Sequence, residues 1–444
     1  MKKIFVILAT MLPFGAFAAD ENCRTMTTVP DGELTLQQVI ELGLCRNPET
    51  AAAYLSLESA RFNKNAGYSQ YLPSVSASAS ASLPYRNREF DTWSYGASIS
   101  ASYLIFDFGK RLSDVNQLIA TWRATGFDYS ESVQNYVYSV IGAYYALLNA
   151  DADVMTARAV QQVSKTAKDT ADKKFNAGAV AKADVLKADV TLASSELELE
   201  RAKNNREIAK GTLLAKLAFP ADQEIKIADM PAEFGSETEN QSIDELIEIA
   251  REKRPDLLRA SANKDAAWHR RNSTFLANLP TISASGSLSW NNIPSDVYNA
   301  GQDEWSGSIG IRASMPIFTG FSNFYNSRAA QANYERAIEQ ERQTTDNAML
   351  DVFSAYQNYK TAQTVLKQTE TLLASAQETE NVTAGMYKVG KATMLDWQQA
   401  LADLADAHKQ NNAAKYDLFT KRAALALAIG DIKDGLIEEG IVNE

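Results

Sequence analysis

The chain is poor in histidine and cysteine, with two of each in 444 residues. That leaves little for a zinc or iron–sulfur site. Basic charge is also short: 44 Lys and Arg stand against 55 Asp and Glu, a net −11. A general nucleic-acid binder draws its affinity from Lys and Arg on phosphates, so no nucleic-acid partner is expected. No run of about 18 apolar residues follows the N-terminus, which excludes a helical membrane span. A β-barrel span stays open, because its signal is alternation rather than a long apolar run. No Gly-rich phosphate loop follows a strand, and His269 and His408 lie far apart in helical stretches. No Ser has a partnered base in view. Neither catalysis nor a cofactor nor a metal is therefore expected.

Residues 1–18 are an address. Lys2 and Lys3 precede an apolar run from Ile4 to Leu12 and the small-residue site Ala16-Phe17-Ala18. This is the order of a secretory signal peptide, with a buried N-terminal helix as the other reading. Removing its two Lys takes the net charge from −11 to −13. Export places Cys23 and Cys45 in an oxidising compartment, where a disulfide would pin the N-terminal tail to the first helix. Two free thiols are the alternative.

What the sequence does hold is a repeat. Leu72-Pro73-Ser74-Val75-Ser76-Ala77-Ser78 matches Leu279-Pro280-Thr281-Ile282-Ser283-Ala284-Ser285 at an offset of 207, which Pro48 and Pro255 share. Ile105-Phe106 matches Ile317-Phe318 at 212, as do Gly178 with Gly390 and Asp184 with Asp396. Repeats are sought first because they set the architecture. The first copy covers 19–219, a polar connector 220–242, the second copy 243–430, and a tail 431–444. Each copy runs helix, alternating stretch, long helix, Gly-centred break, helix. The step in offset places a five-residue insertion in the second alternating stretch, within the polar tip 291–304 that answers 84–92.

The alternating stretches predict strands. Val75, Ala77, Ala79 and Ala81 have Ser between them, and Ala97, Ile99, Ala101 and Tyr103 alternate with Ser98, Ser100 and Ser102. Ile282, Ala284, Leu288 and Trp290, and then Ile309, Ile311, Ala313 and Met315, repeat the pattern. Period two gives one apolar and one polar face. About ten residues cross a tilted outer-membrane barrel, and the stretches end in aromatics such as Trp93, Trp290 and Trp305. A soluble sandwich needs more than four strands. Four strands cannot close a barrel, and open edges in lipid are costly, so several chains must share one; three would give about twelve strands. Between Pro84 and Pro220, and after Pro316, proline is absent, and the segments are rich in good helix formers. These predict long coiled-coil helices, the first from Lys110 to Phe175.

Together these residues resemble the TolC-type outer-membrane efflux family. The resemblance rests on Leu72-Pro73 and Leu279-Pro280, on Leu104-Ile105-Phe106-Asp107-Phe108-Gly109 and Pro316-Ile317-Phe318-Thr319-Gly320-Phe321, on Arg254-Pro255-Asp256-Leu257, and on the twice-repeated Gly-x5-Asp break. It implies an α+β membrane protein: a homotrimer whose shared twelve-strand barrel, four strands per chain, sits in outer-membrane lipid and continues into an α-helical periplasmic tunnel. It implies an export duct for small molecules or polypeptides, docked on a periplasmic adaptor (membrane fusion) protein and an inner-membrane transporter of RND or ABC type. A soluble periplasmic scaffold or adaptor is the rival reading.

Gly178 and Gly390 are expected at the tips of helical hairpins, where glycine permits the left-handed backbone that ends a helix. By the resemblance, Gly178, Ala179, Val180, Gly390 and Lys391 contact the adaptor, and Asp396, Tyr387, Gln399 and Asp184 belong to a periplasmic gate. Gln399 stands where the family often has a second carboxylate, so the ring would carry one charge per chain. The competing reading is capping: Thr393-x-x-Asp396 has the pattern of a capping box, and an acid in a first helical turn favours the helix dipole. Capping is the preferred reading for Asp184, the gate for Asp396.

Overall fold

The computed structural model describes residues 28–30, 32–83, 85–86, 89–90, 93–228, 242–293 and 302–432. The expected signal peptide, Cys23, most of the connector, the outer parts of both strand-connecting tips and the tail beyond 432 lie outside them. Cys45 is not a free thiol.

A short strand β1 (Glu33–Leu34) leads into α1 (Leu36–Arg46) and α2 (Pro48–Gly67). The sequence suggests one helical stretch here, but Pro48 divides it. Proline lacks the N–H that an interior position needs and fits a first helical turn. The Asn47 carboxamide oxygen accepts from the backbone N–H of Glu49 at 2.8 Å and of Thr50 at 3.0 Å, which caps α2. Strands β2 (Ser74–Ser82), β3 (Tyr85–Arg86), β4 (Glu89–Phe90) and β5 (Ser94–Phe106) follow. Then come α3 (Lys110–Asn176), α4 (Lys182–Lys216) and β6 (Lys226–Ile227), which pairs in parallel with β1. The second copy gives α5 (Ile243–Lys253) and α6 (Pro255–Leu276), again divided at a proline, then β7 (Thr281–Ile293), β8 (Gln302–Ser314), α7 (Ser322–Lys388) and α8 (Met394–Ala428).

The repeat is kept in helix length. Helices α3 and α7 each have 67 residues, about 100 Å at 1.5 Å per residue, and α4 and α8 each have 35. Their threonines turn inward on the helix itself. The hydroxyls of Thr121, Thr166, Thr361 and Thr371 each donate to the carbonyl four residues back. This satisfies a polar group at the cost of a slight bend.

The chain divides into two compact units, and each draws on both copies. One comprises Met1–Ala53, Ser130–Arg254 and Asn347–Glu444. Its core holds Ile40, Val137, Ile141, Leu147, Leu213 and Leu217, all almost fully buried. Gly43 lies so close to Tyr136 and Leu217 that a Cβ would collide with them, and the Tyr136 hydroxyl donates to the Lys216 carbonyl at 2.8 Å.

The other unit comprises Tyr54–Tyr129 and Pro255–Asp346. Its sheet runs β2-β5-β7-β8, antiparallel throughout, so β2 and β8 are the edges. The register aligns serines in rows across the sheet: Ser78, Ser98, Ser289, Ser306, and then Ser76, Ser100, Ser287, Ser308. Neighbouring hydroxyls bond directly, Ser76 to Ser100 at 2.8 Å and Ser289 to Ser306 at 2.7 Å. Val75, Ile99, Leu288, Ile309 and Ile311 point from the opposite face and are exposed. No helix among the described residues is long and apolar enough to cross a membrane; the sheet carries the apolar surface.

Strand β5 passes to α3 through a bulge at Leu104/Phe106 and two left-handed residues, Phe108 and Gly109. Asp107 and Arg111 are both buried there. Arg111 Nε lies 3.1 Å from the Asp107 carboxylate, and Nη1 donates to the Leu104 carbonyl at 2.7 Å. Between β8 and α7 the same two-residue left-handed turn is Gly320 and Phe321, the residue order reversed.

Candidate functional site

The residues expected at the gate lie on two helical hairpins in the first unit. In the α3–α4 hairpin, Gly178 has φ +72° and the Ala179 N–H donates to the Lys174 carbonyl at 2.8 Å. In the α7–α8 hairpin, Gly390 has φ +78° and the Lys391 N–H donates to the Met386 carbonyl at 2.8 Å. Both are Schellman closures, in which glycine takes the left-handed position. Ala179, Gly178, Gly390 and Lys391 are exposed and Val180 is half-buried.

The helices that leave the turns start differently. Thr393 caps α8: its hydroxyl accepts from the Asp396 N–H at 3.2 Å, and Asp396 Oδ2 accepts from the Thr393 N–H at 2.8 Å and hydroxyl at 2.7 Å. That reciprocal box satisfies two otherwise orphaned donors. The Thr393 hydroxyl first, then its backbone N–H, hold the Asp396 carboxyl below the usual carboxylate range. Asp396 is fully exposed and all these bonds use Oδ2. At the equivalent start of α4 the cap residue is Ala181, which offers no side-chain oxygen. Asp184 sits in that first turn, placed for the dipole but outside any reciprocal box.

Tyr387 joins the two hairpins. It is buried against Trp397, with ring centroids 5.2 Å apart, in a cluster with Met394, Ala384, Ala167, Ala171 and Ala188. Its hydroxyl has no hydrogen-bond partner among the described residues. Burial, and after it the Asp184 carboxylate, push that hydroxyl above its ordinary range. Lys174 of α3 reaches across: its ammonium donates to the Tyr387 carbonyl and sits 4.2 Å from the ring centroid. Such a cation over an aromatic face is electrostatically attracted. Trp397 Nε1 donates to Glu380 at 2.9 Å inside the protein, and the Gln398 amide donates to the Lys187 carbonyl at 2.8 Å and to the Thr191 hydroxyl. Gln399 is exposed, and its amide donates to Asp403 at 2.8 Å.

The structure thus brings Asp184 and Tyr387 into electrostatic contact and leaves Asp396 and Gln399 on the outside of α8. Lys174, Glu380, Trp397 and Gln398 were not legible as site residues in the sequence. The Thr393 box was, because its spacing is local.

The comparisons with known proteins bear on this arrangement. The family model for outer membrane efflux proteins matches residues 39–218 and 246–431. CyaE of Bordetella pertussis is 22% identical over 91% of this chain and 86% of its own. The outer membrane protein TolC of Vibrio cholerae is 24% identical over 81% and 85%. Among solved structures, the outer membrane protein VceC of Vibrio cholerae superposes with a TM-score of 0.76 at 21% identity, over 89% of this chain and 96% of that one.

Proposed function

Because the chain belongs to the outer membrane efflux protein family, we propose that three copies close one twelve-strand barrel and that the paired helical tips form its periplasmic gate. The protein is an outer-membrane export duct with a periplasmic extension. The observation that carries the barrel is the sheet itself, apolar on one face, serine on the other, and open at both edges. A closed barrel needs about eight strands or more, and only closure satisfies backbone groups in lipid. Four strands per chain therefore call for partners, and three copies give a serine-lined wet lumen. Membership of the family sets aside the soluble scaffold.

At the gate, Asp396 would ring the lumen with one carboxylate per chain. Its low pKa keeps it ionised at neutral pH, and its free Oδ1 is available to a cation. The tie between Tyr387, Lys174 and Asp184 holds one hairpin against the other. The turn residues Gly178, Ala179, Val180, Gly390 and Lys391 are the surface offered to a periplasmic adaptor, behind which an inner-membrane pump supplies energy. Cargo is small molecules or polypeptides. We retain the Cys23–Cys45 disulfide as part of the proposal.

Single-channel conductance in a planar bilayer tests the reading. The expected result is stable cation-selective steps, with divalent block weakened in Asp396→Ala. Steps with unaltered block would remove Asp396 from the gate. No insertion by detergent-purified protein would remove the shared barrel.

A further inference from the structure

The serine face of the sheet is interrupted by charge at two places. Glu304 and Arg312 both lie on β8, eight residues apart, roughly 26 Å at 3.3 Å per residue. Between them that face carries only Ser306, Ser308 and Gly310, paired with Ser289, Ser287 and Ser285. Arg312 pairs in register with Ser283, so an even count places it on the serine side. It is exposed and has no ion-pair partner among the described residues. The repeat sharpens the point. Ile99, Ala101 and Ser102 recur as Ile311, Ala313 and Ser314 at the offset of 212, yet Ser100 recurs as Arg312. One copy keeps the serine and the other replaces it with a permanent cation. The unit that holds the sheet balances its Lys and Arg against its Asp and Glu one for one, so the chain's net −11 resides in the other unit. Arg312 is part of that balance, and without it the unit carries a net charge of 14 − 15 = −1, a nearly neutral background.

We propose that Arg312 is a charge-selectivity residue of the duct, a cationic step in the barrel that attracts carboxylate, phosphate or sulfate groups of passing cargo. This rests on the shared-barrel reading above. Twelve strands at about 4.8 Å spacing, tilted by about 40°, give a backbone radius of roughly 12 Å. An ion on the axis then passes within roughly 10 Å of three positive charges, comparable to the Debye length of ~8 Å at physiological salt. The bias on each monovalent ion is slightly under twofold, so the cation-to-anion permeability ratio is lowered about threefold. Multivalent anions are held more strongly. A charge on an edge strand also discourages wrong pairing, but that role alone would leave permeation untouched.

The test is the reversal potential of the full-length protein in a planar bilayer under a KCl gradient, with inorganic tripolyphosphate as an anionic probe. Arg312→Gln is expected to raise the potassium-to-chloride permeability ratio about threefold and to abolish current interruptions by tripolyphosphate. Arg312→Lys is expected to retain both. Conducting channels of Arg312→Gln with an unchanged ratio and unchanged tripolyphosphate response would overturn the inference while leaving the duct intact. Absence of conductance from wild type and variants alike would overturn the shared barrel, and this inference with it.

Discussion

The two hairpin tips share a backbone and differ in nearly every side chain that matters. Both turns close on a left-handed glycine with the same hydrogen bond. Yet Tyr387, Met394 and Trp397 stand where the first copy has Phe175, Lys182 and Val185, 212 positions earlier. Glu380, buried and bonded to Trp397, stands where the first copy has Lys168. Lys168 is half-buried and pairs with Asp172 and Asp189 at 3.2 and 3.3 Å. In the shared cluster the second copy supplies the large side chains, while the first supplies Ala167, Ala171 and Ala188. The copies have become complementary: one fills the space that the other leaves. An identical pair would offer either two sets of bulky groups or two sets of alanines, and close-packed interiors tolerate neither excess nor void.

Three measurements would break or sharpen that contrast. The largest effect is expected from Trp397→Phe, which keeps the ring but removes the donor and leaves Glu380 buried without it. Such a loss is worth about 2–3 kcal/mol, and it should appear as faster amide exchange in the α7–α8 tip while the α3–α4 tip is less affected. Equal acceleration of both would mean that they open as one body.

A smaller effect is expected at the caps. Thr393→Ala should destabilise the second tip by about 1 kcal/mol, whereas Ala181→Thr should stabilise the first by up to a similar amount. If thermal melts show no opposition in sign, the caps do not set the difference between the tips.

The smallest is the response to acid. The folded-state pKa of Asp396 lies below its unfolded value, so its carboxylate favours the folded cap at neutral pH. That contribution fades as the pH falls below about 4. Exchange in the first turn of α8 should rise there in the wild type, with little further rise in Asp396→Asn.

Legibility followed sequence distance. The strands were visible because serine alternation encodes a face directly, and the long helices because proline is absent from them. The Thr393 box was visible because its partners are three residues apart. The division at Pro48 was missed as a break, although the proline itself was seen, because the capping role of Asn47 is settled only by its rotamer. Lys174 and Tyr387 are separated by 213 positions, and no local pattern announces their meeting. The same holds for Gln398 with Thr191. Asp184 and Asp396 look alike in the two Gly-x5-Asp breaks, and one residue three places before each, Ala181 or Thr393, decides which is engaged.

The open strands β2 and β8 bear on how this protein reaches its membrane. A lone chain presents two rows of unsatisfied amides and carbonyls, nine residues long on one side and thirteen on the other. Water tolerates those rows and hydrocarbon does not. On the shared-barrel proposal, entry into the bilayer is a collective act, in which the chains must find one another before or while they leave water. The supply of finished ducts then depends on encounters between newly exported chains more steeply than on their number, and a cell that makes few of them should finish disproportionately fewer.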